Sequence, residues 1–167
     1  MELRDILIGI GANLSPDGYE TPREGCEAAI AGLAGFGIEV TAVSPWYETA
    51  PVPVSDQPWF NNAVIRARTT LAAPAALAVL HQIEARFGRV RTVRNAARVL
   101  DLDLLDYAEQ TVEETGLTIP HPRLHERAFV LLPLRDVMPD YRHPHSGVTI
   151  DAMIDALPAG QQIKRAD

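Results

Sequence analysis

The stretch RFGRVRTVRNAARVLDLD, residues 86–103, joins the end of a predicted helix to a predicted buried strand, and it concentrates the positive charge of the chain. Two aspartates at its end, Asp101 and Asp103, interrupt the leucine-rich run from Leu100 to Leu105. Arginines beside paired carboxylates suggest a phosphate held next to a metal ion. Five arginines precede the aspartates, with no acidic residue among them: Arg86, Arg89, Arg91, Arg94 and Arg98.

The two aspartates are spaced i, i+2, and residues at this spacing point to the same face of a strand. Two carboxylates side by side repel each other, and a divalent cation with oxygen ligands is a common stabilising partner. The same alternation also describes an ordinary edge strand with buried leucines and solvated aspartates. The spacing alone fits both interpretations equally.

The arginine run favours the phosphate interpretation. Lys164 is the only lysine, so nearly all positive charge in the chain is on guanidinium groups, whose planar fork matches phosphate oxygens two at a time. Arg86, at the end of the preceding helix, is expected on the surface. The four later arginines lie in a segment with few large apolar side chains, which predicts a mobile loop able to close over a polyphosphate.

The composition is typical of a folded globular chain, with 47% hydrophobic and 22% charged residues among 167. We expect residues 1–167 to form a single domain. The formal net charge of −7 argues against a general nucleic-acid-binding protein, because such proteins present a basic surface. The local basic cluster is therefore expected to bind a small anion.

Cys26 is the only cysteine, so no disulfide can form within the chain, which is typical of a reducing compartment. Its helical surroundings predict a buried structural thiol. Charges near the N-terminus interrupt any signal-peptide core, and the longest apolar run, 128–134, is too short to span a bilayer. We expect a cytoplasmic, monomeric protein with no membrane partner.

Hydrophobic periodicity and turn residues divide the chain into short elements. Strands are predicted at 6–10, 38–43, 60–67 and 100–107, with one or two short strands in 112–119. Helices are predicted at 22–33 and 74–87, at a position beginning near Pro133, and at 149–157. Residues 51–58 form a proline-rich loop, and the last residues are expected to fray. Because several strands follow one another without an intervening helix, we predict an α+β fold rather than a doubly wound sheet.

Several polar residues in these elements are candidates for a site. Asn61 or Asn62 is expected to face a ligand, because an asparagine pair in mid-strand is otherwise unfavourable for β structure. His81 and Glu84 lie one turn apart on a helix, which slightly favours a surface pair over a ligand contact. A second cationic cluster follows the short strands: His121, Arg123, His125 and Arg127.

Six blocks in this order resemble the family of 6-hydroxymethyl-7,8-dihydropterin pyrophosphokinase: IGIGANL (8–14), SPWYETAPV (44–52), DQPWFNNAV (56–64), IEARFGRVR (83–91), ARVLDLDLL (97–105) and IPHPRLHERAFVLLPL (119–134). The resemblance implies a ferredoxin-like α+β sandwich, with a mainly antiparallel sheet and flanking helices. It also implies transfer of the diphosphate of ATP to the pterin hydroxymethyl group in folate biosynthesis, leaving AMP. Asn95, Ala96 and Ala97 stand where the family commonly has Trp-Gly-Pro.

The resemblance also implies roles for individual residues. Asp101 and Asp103 would hold two Mg²⁺ ions, and Arg89 and Arg98 would act with them in catalysis. The implied pterin site comprises Thr49, Val52, Phe60, Asn62 and Phe129. The implied ATP site comprises His81, Glu84, Arg91, Arg98, Leu104, Thr118, His121 and Arg127.

Two other functions are compatible with the same residues. One is a non-catalytic homologue that binds a pterin or a nucleotide, and the other is a different metal-dependent nucleotidyl transferase that uses the same aspartate pair. A P-loop kinase is disfavoured, because the sequence has no glycine-rich loop followed by lysine.

Overall fold

The computed structural model describes residues 2–51, 53, 55–88 and 97–166. Within these residues the strands are β1 (Arg4–Ala12), β2 (Ile38–Val43), β3 (Tyr47–Thr49), β4 (Phe60–Thr69), β5 (Asp101–Tyr107), β6 (Val112–Glu114), β7 (Leu117–Ile119) and β8 (Ile163–Arg165). The helices are α1 (Pro22–Gly32), α2 (Ala73–Arg86), α3 (Ala128–Val137) and α4 (Ile150–Asp155), with short 3₁₀ helices at Leu33–Phe36 and Leu124–Glu126.

Six of these strands form one sheet in the order β5-β1-β4-β3-β8, and β2 pairs with the other end of β4. Neighbouring strands are antiparallel throughout. The hairpin of β6 and β7 is separate. This arrangement confirms the predicted α+β class, with an antiparallel sheet and flanking helices of the ferredoxin-like kind.

The sheet separates two apolar layers. Ile6, Ile8 and Ile10 alternate along β1 toward the layer that contains the buried residues of α1 and α2, whereas Leu7 faces the layer of α3 and α4. Successive side chains of a strand point to opposite faces. Residues of β1 on the α3 side, beyond Leu7, are therefore free to line a site.

Two of the four described α-helices, α1 and α4, begin with a side-chain cap. The Thr21 hydroxyl accepts a hydrogen bond from the Glu24 amide at 3.1 Å, and proline occupies the first turn of α1, as a capping box predicts. Thr149 caps α4 through the Ala152 amide in the same way. Cys26 is fully buried, as predicted, and burial raises the pKa of its thiol to about 12.

Two predictions about the C-terminal third of the chain are wrong. Pro133 lies inside α3 instead of near its start. It has no amide hydrogen for the Phe129 carbonyl, but Val130, Leu131 and Leu134 pack into the apolar layer, and this burial offsets the loss. The last residues do not fray, because β8 pairs with β3 from Tyr47–Arg165 to Thr49–Ile163.

The first strand also continues further than predicted. The predicted strand ends at residue 10, yet Gly11 and Ala12 also belong to β1 and pair with Asn62 and Asn61 on β4. Among the residues described, none of the helices combines the length and apolar character that crossing a bilayer requires.

Candidate active site

The paired aspartates lie on β5 and face the α3 side of the sheet. Leu102 and Leu104, between and after them, are buried in the opposite layer. On the neighbouring strand β1, Gly11 pairs with Asp101 and Gly9 pairs with Asp103. Because glycine has no side chain, β1 leaves room beside Asp101 for the side chain of Asn62, and beside Asp103 for that of Leu105.

The edge-strand interpretation of the aspartate spacing agrees with the structure, and the cation interpretation stays a prediction. β5 is an edge strand of the six-stranded sheet. Asp101 and Asp103 on it are half-buried, as the edge-strand interpretation requires. They nevertheless face basic groups. Arg98 Nη1 lies 2.9 Å from Asp101 Oδ2. The charge of Asp103 raises the pKa of Arg127, although burial has the larger effect and lowers it.

Two further basic residues, from the cluster at 121–127, lie near these carboxylates. Burial lowers the pKa of Arg127, and its guanidinium lies 5.3 Å from the centre of the Phe129 ring. Burial, together with the charge of Arg127, lowers the pKa of His121 to about 4. His121 is therefore neutral at pH 7, so its ring can act as a hydrogen-bond donor but not as a cation.

A cleft of about 180 Å³ lies next to the carboxylates. The two aromatic rings predicted to hold the pterin, Phe60 and Phe129, both line it, as do Asn62, Arg98 and Asp101. Its remaining lining residues are Gly11, Pro51, Gln57, Arg123, Glu126 and Arg127. The structure thus brings together residues from five of the six sequence blocks.

The orientation of Asn62 is fixed by a buried partner. Its amide Nδ2 donates to Thr49 Oγ1 at 2.6 Å, and both residues are buried. An asparagine side chain has a second N–H and a carbonyl oxygen, which suit a ligand edge that presents both a donor and an acceptor. Of the two asparagines in the strand, Asn62 is the one that lines the cleft.

The residues predicted to contact ATP do not all meet. Thr118 and His121 line a larger cavity of about 670 Å³ beside the β6–β7 hairpin. Leu104 is part of the core, and Glu84 is buried, where its Oε2 accepts a hydrogen bond from the Leu102 amide at 2.7 Å. His81 is exposed on α2. The expected surface pair of His81 and Glu84 is wrong for Glu84, which is held under the aspartate strand.

Some predicted residues lie outside the described part of the chain. These are Val52, Arg89, Arg91, Arg94, Asn95 and Ala96.

The described aspartates suit a hard cation that keeps some of its water. In the described part of the chain, no group of three or more His, Cys, Asp or Glu side chains is arranged to hold a metal ion. Mg²⁺ is commonly held by one or two carboxylates together with substrate phosphates and water. Asp101 and Asp103, with basic groups nearby for the phosphates, fit this requirement.

Asn13 is a structural part of the site that sequence reasoning missed. It is buried and follows β1, where its Nδ2 donates to Gln57 Oε1 at 3.1 Å and to the Pro58 carbonyl at 3.0 Å. Its Oδ1 accepts from the Arg98 amide at 2.8 Å. A polar side chain directly after a buried strand was the available signal, but its partners are 44 and 85 residues away.

Comparisons with known proteins agree with this geometry. The family model described as 7,8-dihydro-6-hydroxymethylpterin-pyrophosphokinase matches residues 7–139. The chain is similar to 2-amino-4-hydroxy-6-hydroxymethyldihydropteridine pyrophosphokinase of Synechocystis, with 39% identity over 90% of this chain and 75% of the relative. The Pseudomonas aeruginosa protein of the same name is 37% identical over 93% of both chains.

A solved structure shares the fold at low sequence identity. The crystal structure of a Plasmodium falciparum HPPK-DHPS triple mutant superposes with a TM-score of 0.70 and 14% identity. The match covers 92% of this chain and 44% of that chain.

Proposed function

The chain belongs to the 7,8-dihydro-6-hydroxymethylpterin pyrophosphokinase family, and from that premise we propose how its residues divide the work of the reaction. The enzyme transfers the diphosphate of ATP to the hydroxymethyl group of 6-hydroxymethyl-7,8-dihydropterin in folate biosynthesis. The observation that carries the proposal is the single cleft shared by Phe60, Phe129, Asn62, Arg98 and Asp101.

The pterin would occupy the aromatic part of this cleft. Phe60 and Phe129 offer flat faces for a fused ring system, and Asn62, held by Thr49, offers the donor and acceptor that match its polar edge. Val52 stays part of the proposed pocket by resemblance.

The triphosphate would lie over the carboxylates and the basic groups. Asp101 and Asp103 would hold Mg²⁺, which neutralises phosphate charge and orients the β-phosphate when bound. Arg98 and Arg127 would contact phosphate oxygens, and neutral His121 would donate a hydrogen bond. Arg89 and Arg91, which lie outside the described residues, are proposed by resemblance to contact the phosphates as well. Thr118 lines the larger cavity together with His121, which supports a position for the nucleoside end of ATP near the β6–β7 hairpin.

The residues of the chain act mainly by positioning and by balancing charge. The pterin hydroxymethyl oxygen forms a bond to the β-phosphorus while the bond from that phosphorus to the α-phosphate oxygen breaks, and AMP leaves. In-line transfer of this kind depends on alignment and charge neutralisation. Basic groups beside the cleft stabilise the charge that moves onto the leaving AMP, so no protein nucleophile is needed.

The assay that tests this function identifies the nucleotide product. The protein is incubated with ATP, Mg²⁺ and 6-hydroxymethyl-7,8-dihydropterin, and the products are separated by chromatography. We expect AMP and the pterin diphosphate in equal amounts. ADP or free pyrophosphate would instead support another phosphotransferase or nucleotidyl transferase. Binding of the pterin without any product would support a non-catalytic homologue.

Asp103→Asn tests the role of the carboxylates. The variant keeps the size of the side chain but removes a charged ligand, and we expect kcat to fall by at least about 10³-fold, which corresponds to about 4 kcal/mol of transition-state stabilisation. Asp5→Asn changes an exposed carboxylate at the other end of the same sheet and should leave the rate unchanged. A near-normal rate for Asp103→Asn would rule out the metal assignment.

We also propose that residues 1–167 act as one pyrophosphokinase domain and as a monomer in the cytoplasm. The single cysteine suits a reducing compartment. Light scattering coupled to size-exclusion chromatography measures the oligomeric state directly.

A further inference from the structure

The segment at 161–166 lies outside the residues that the family model matches, yet it contacts both walls of the cleft. Its strand β8 extends the sheet beyond β3. The Ala50 amide donates to the Gln162 carbonyl at 3.1 Å, and the Ala166 amide donates to the Trp46 carbonyl at 2.8 Å. These bonds attach the segment to the wall that carries Thr49.

The side chain of Gln161 attaches the segment to the opposite wall. Its Oε1 accepts from the Ala128 amide at 2.8 Å, and its Nε2 donates to the Glu126 carbonyl at 2.8 Å. Nε2 also lies 3.5 Å from the Pro158 carbonyl. One amide group therefore bonds the backbone on both sides of Arg127.

These two bonds lie at the N-terminus of α3, where the N-cap residue provides no side-chain cap. Arg127 occupies the N-cap position with an extended backbone (φ −114°, ψ 114°), and its side chain makes no capping hydrogen bond. The first amides of a helix need partners outside the helix. Gln161 provides one for Ala128, and thereby fixes the direction in which the backbone enters α3.

The direction of that entry sets the position of two proposed ligand contacts. The Arg127 guanidinium lies over the Phe129 ring at 5.3 Å, and both side chains line the cleft with Asp101. A rotation of the backbone at Glu126–Ala128 would move the arginine and the ring together.

We propose that Gln161 is a positioning residue for diphosphate transfer, which acts through Arg127 and Phe129, and that 161–166 is a strap joining the two walls of the cleft. This inference rests on the proposed function, since it takes Arg127 and Phe129 as ligand contacts. It adds a residue that neither the sequence blocks nor the family match includes.

The test compares Gln161→Ala with Gln162→Ala, whose side chain is exposed on the next residue. We measure kcat and the KM values for ATP and pterin, with the unfolding midpoint of each variant. Loss of two hydrogen bonds should lower kcat/KM for the alanine variant of Gln161 by about tenfold or more. Gln162→Ala should stay within about twofold of the original chain.

A double-mutant cycle separates positioning from a purely structural role. If Gln161 acts partly through Arg127, then Gln161→Ala should lower kcat/KM by a smaller factor in an Arg127→Ala background than in the original chain, with the remainder acting through Phe129. A full and additive loss in that background would overturn the proposal. So would an unchanged kcat/KM for folded Gln161→Ala.

A second variant covers the case in which Gln161→Ala does not fold. Gln161→Glu keeps an acceptor for the Ala128 amide and loses the donor to the Glu126 carbonyl, so we expect an intermediate loss of kcat/KM. An unchanged value would overturn the proposal. If Arg127→Ala itself kept the original rate, the assignment of Arg127 under the proposed function would fail, and Gln161 with it. Failure at Gln161 alone leaves that function intact.

Discussion

Gly11 shows how a single missing side chain can shape a recognition site. A Cβ atom built on Gly11 would lie 2.3 Å from Asn62 Oδ1 and 3.3 Å from the Asn61 carbonyl oxygen. The backbone of Gly11 is ordinary strand, so the constraint is space and not conformation. Asn62 can yield only by giving up its 2.6 Å hydrogen bond to Thr49.

Gly11→Ala should therefore weaken pterin binding more than it weakens the fold. We expect the dissociation constant for the pterin, measured by calorimetry, to rise at least about tenfold, as loss of one well-placed hydrogen bond would give. Gly9→Ala is the matched control on the same face of β1, since its Cβ would meet only Leu105, at 3.4 Å. Equal pterin affinity in the two variants would contradict this account of Gly11.

His121 is the titratable group whose burial has the clearest consequence. Its pKa falls from 6.5 to about 4, because burial and then Arg127 disfavour the charged form, with Asp101 acting in the opposite direction. Its Nδ1 accepts from the Arg123 amide at 3.1 Å. The neutral ring therefore carries its proton on Nε2.

The free energy of unfolding should fall as the pH is lowered from about 6.5 toward 4. In that window the unfolded chain binds a proton at His121 and the folded chain does not, so acid favours unfolding. Urea titrations at pH 7 and pH 5 measure the difference, which should be smaller in His121→Gln. His145→Gln alters an exposed histidine and should keep the original difference. If His121→Gln showed the same difference in the free energy of unfolding between pH 7 and pH 5 as the original chain, burial of His121 would not account for that difference.

At the scale of elements, Asn13 joins three parts of the site. From the end of β1 it bonds Gln57 and Pro58, in the proline-rich loop, and the backbone of Arg98. The amides of Asn13 and Leu14 in turn donate to the Arg98 carbonyl, each at 3.0 Å. The position of the last loop arginine is thus set from the first strand.

Asn13→Ala should loosen both loops at once. The change leaves the Arg98 amide and the Pro58 carbonyl without these partners, and we expect a loss of about 2 kcal/mol in the free energy of unfolding. The KM for ATP should rise as well, because Arg98 loses one of the three hydrogen bonds that hold its backbone to this segment. Asn61→Ala, a half-buried asparagine on β4, is the comparison. Chemical denaturation measures the change in the free energy of unfolding, and steady-state kinetics measure the change in the KM for ATP. An Asn13→Ala variant with neither change would contradict this role of Asn13.

Prediction from sequence succeeded where an element carries its own pattern. β2 was predicted with the observed bounds, because its alternation lies between a glycine stop and Pro45. α1 carried its capping box in adjacent residues. β3 and β8 are only three residues each, too short for a period, and they exist because each pairs with a partner distant in sequence.

The candidate site shows the same division between residues that a local pattern indicates and residues whose position depends on tertiary packing. Asp101, Phe60 and Asn62 stand in recognisable blocks, and the structure brings them to one cleft. Glu84 belongs to such a block too, but local spacing suggested a surface position. Its burial under Leu102 depends on how α2 packs on β5, which no pattern within the helix specifies.

At the scale of the whole molecule, β1 is an interior strand of the sheet, with a partner strand on each side. It pairs with β4 along its full length and with β5 on its other side. Ile8 and its partner Ile65 are completely buried. The β6–β7 hairpin, in contrast, forms a separate pair of three-residue strands.

Hydrogen exchange should follow this arrangement. We expect the amides of Ile8 and Ile65 to exchange only through global unfolding, and those of the β6–β7 hairpin to exchange through local opening. Exchange measured by NMR in the absence of ligand checks the order. Equal protection in the hairpin and in β1 would contradict it.

The sequence by itself determined the fold class, the aspartate pair and the family, because each depends on residues close together in the chain or on blocks in a fixed order. Only the tertiary structure decided which atoms meet. Gly11 beside Asn62, Asn13 beside Arg98, and Gln161 on both sides of Arg127 are contacts between distant segments. Their physical reason is the antiparallel sheet, which sets strand neighbours by pairing and not by sequence order, so the walls of the cleft are fixed only when the whole sheet has formed.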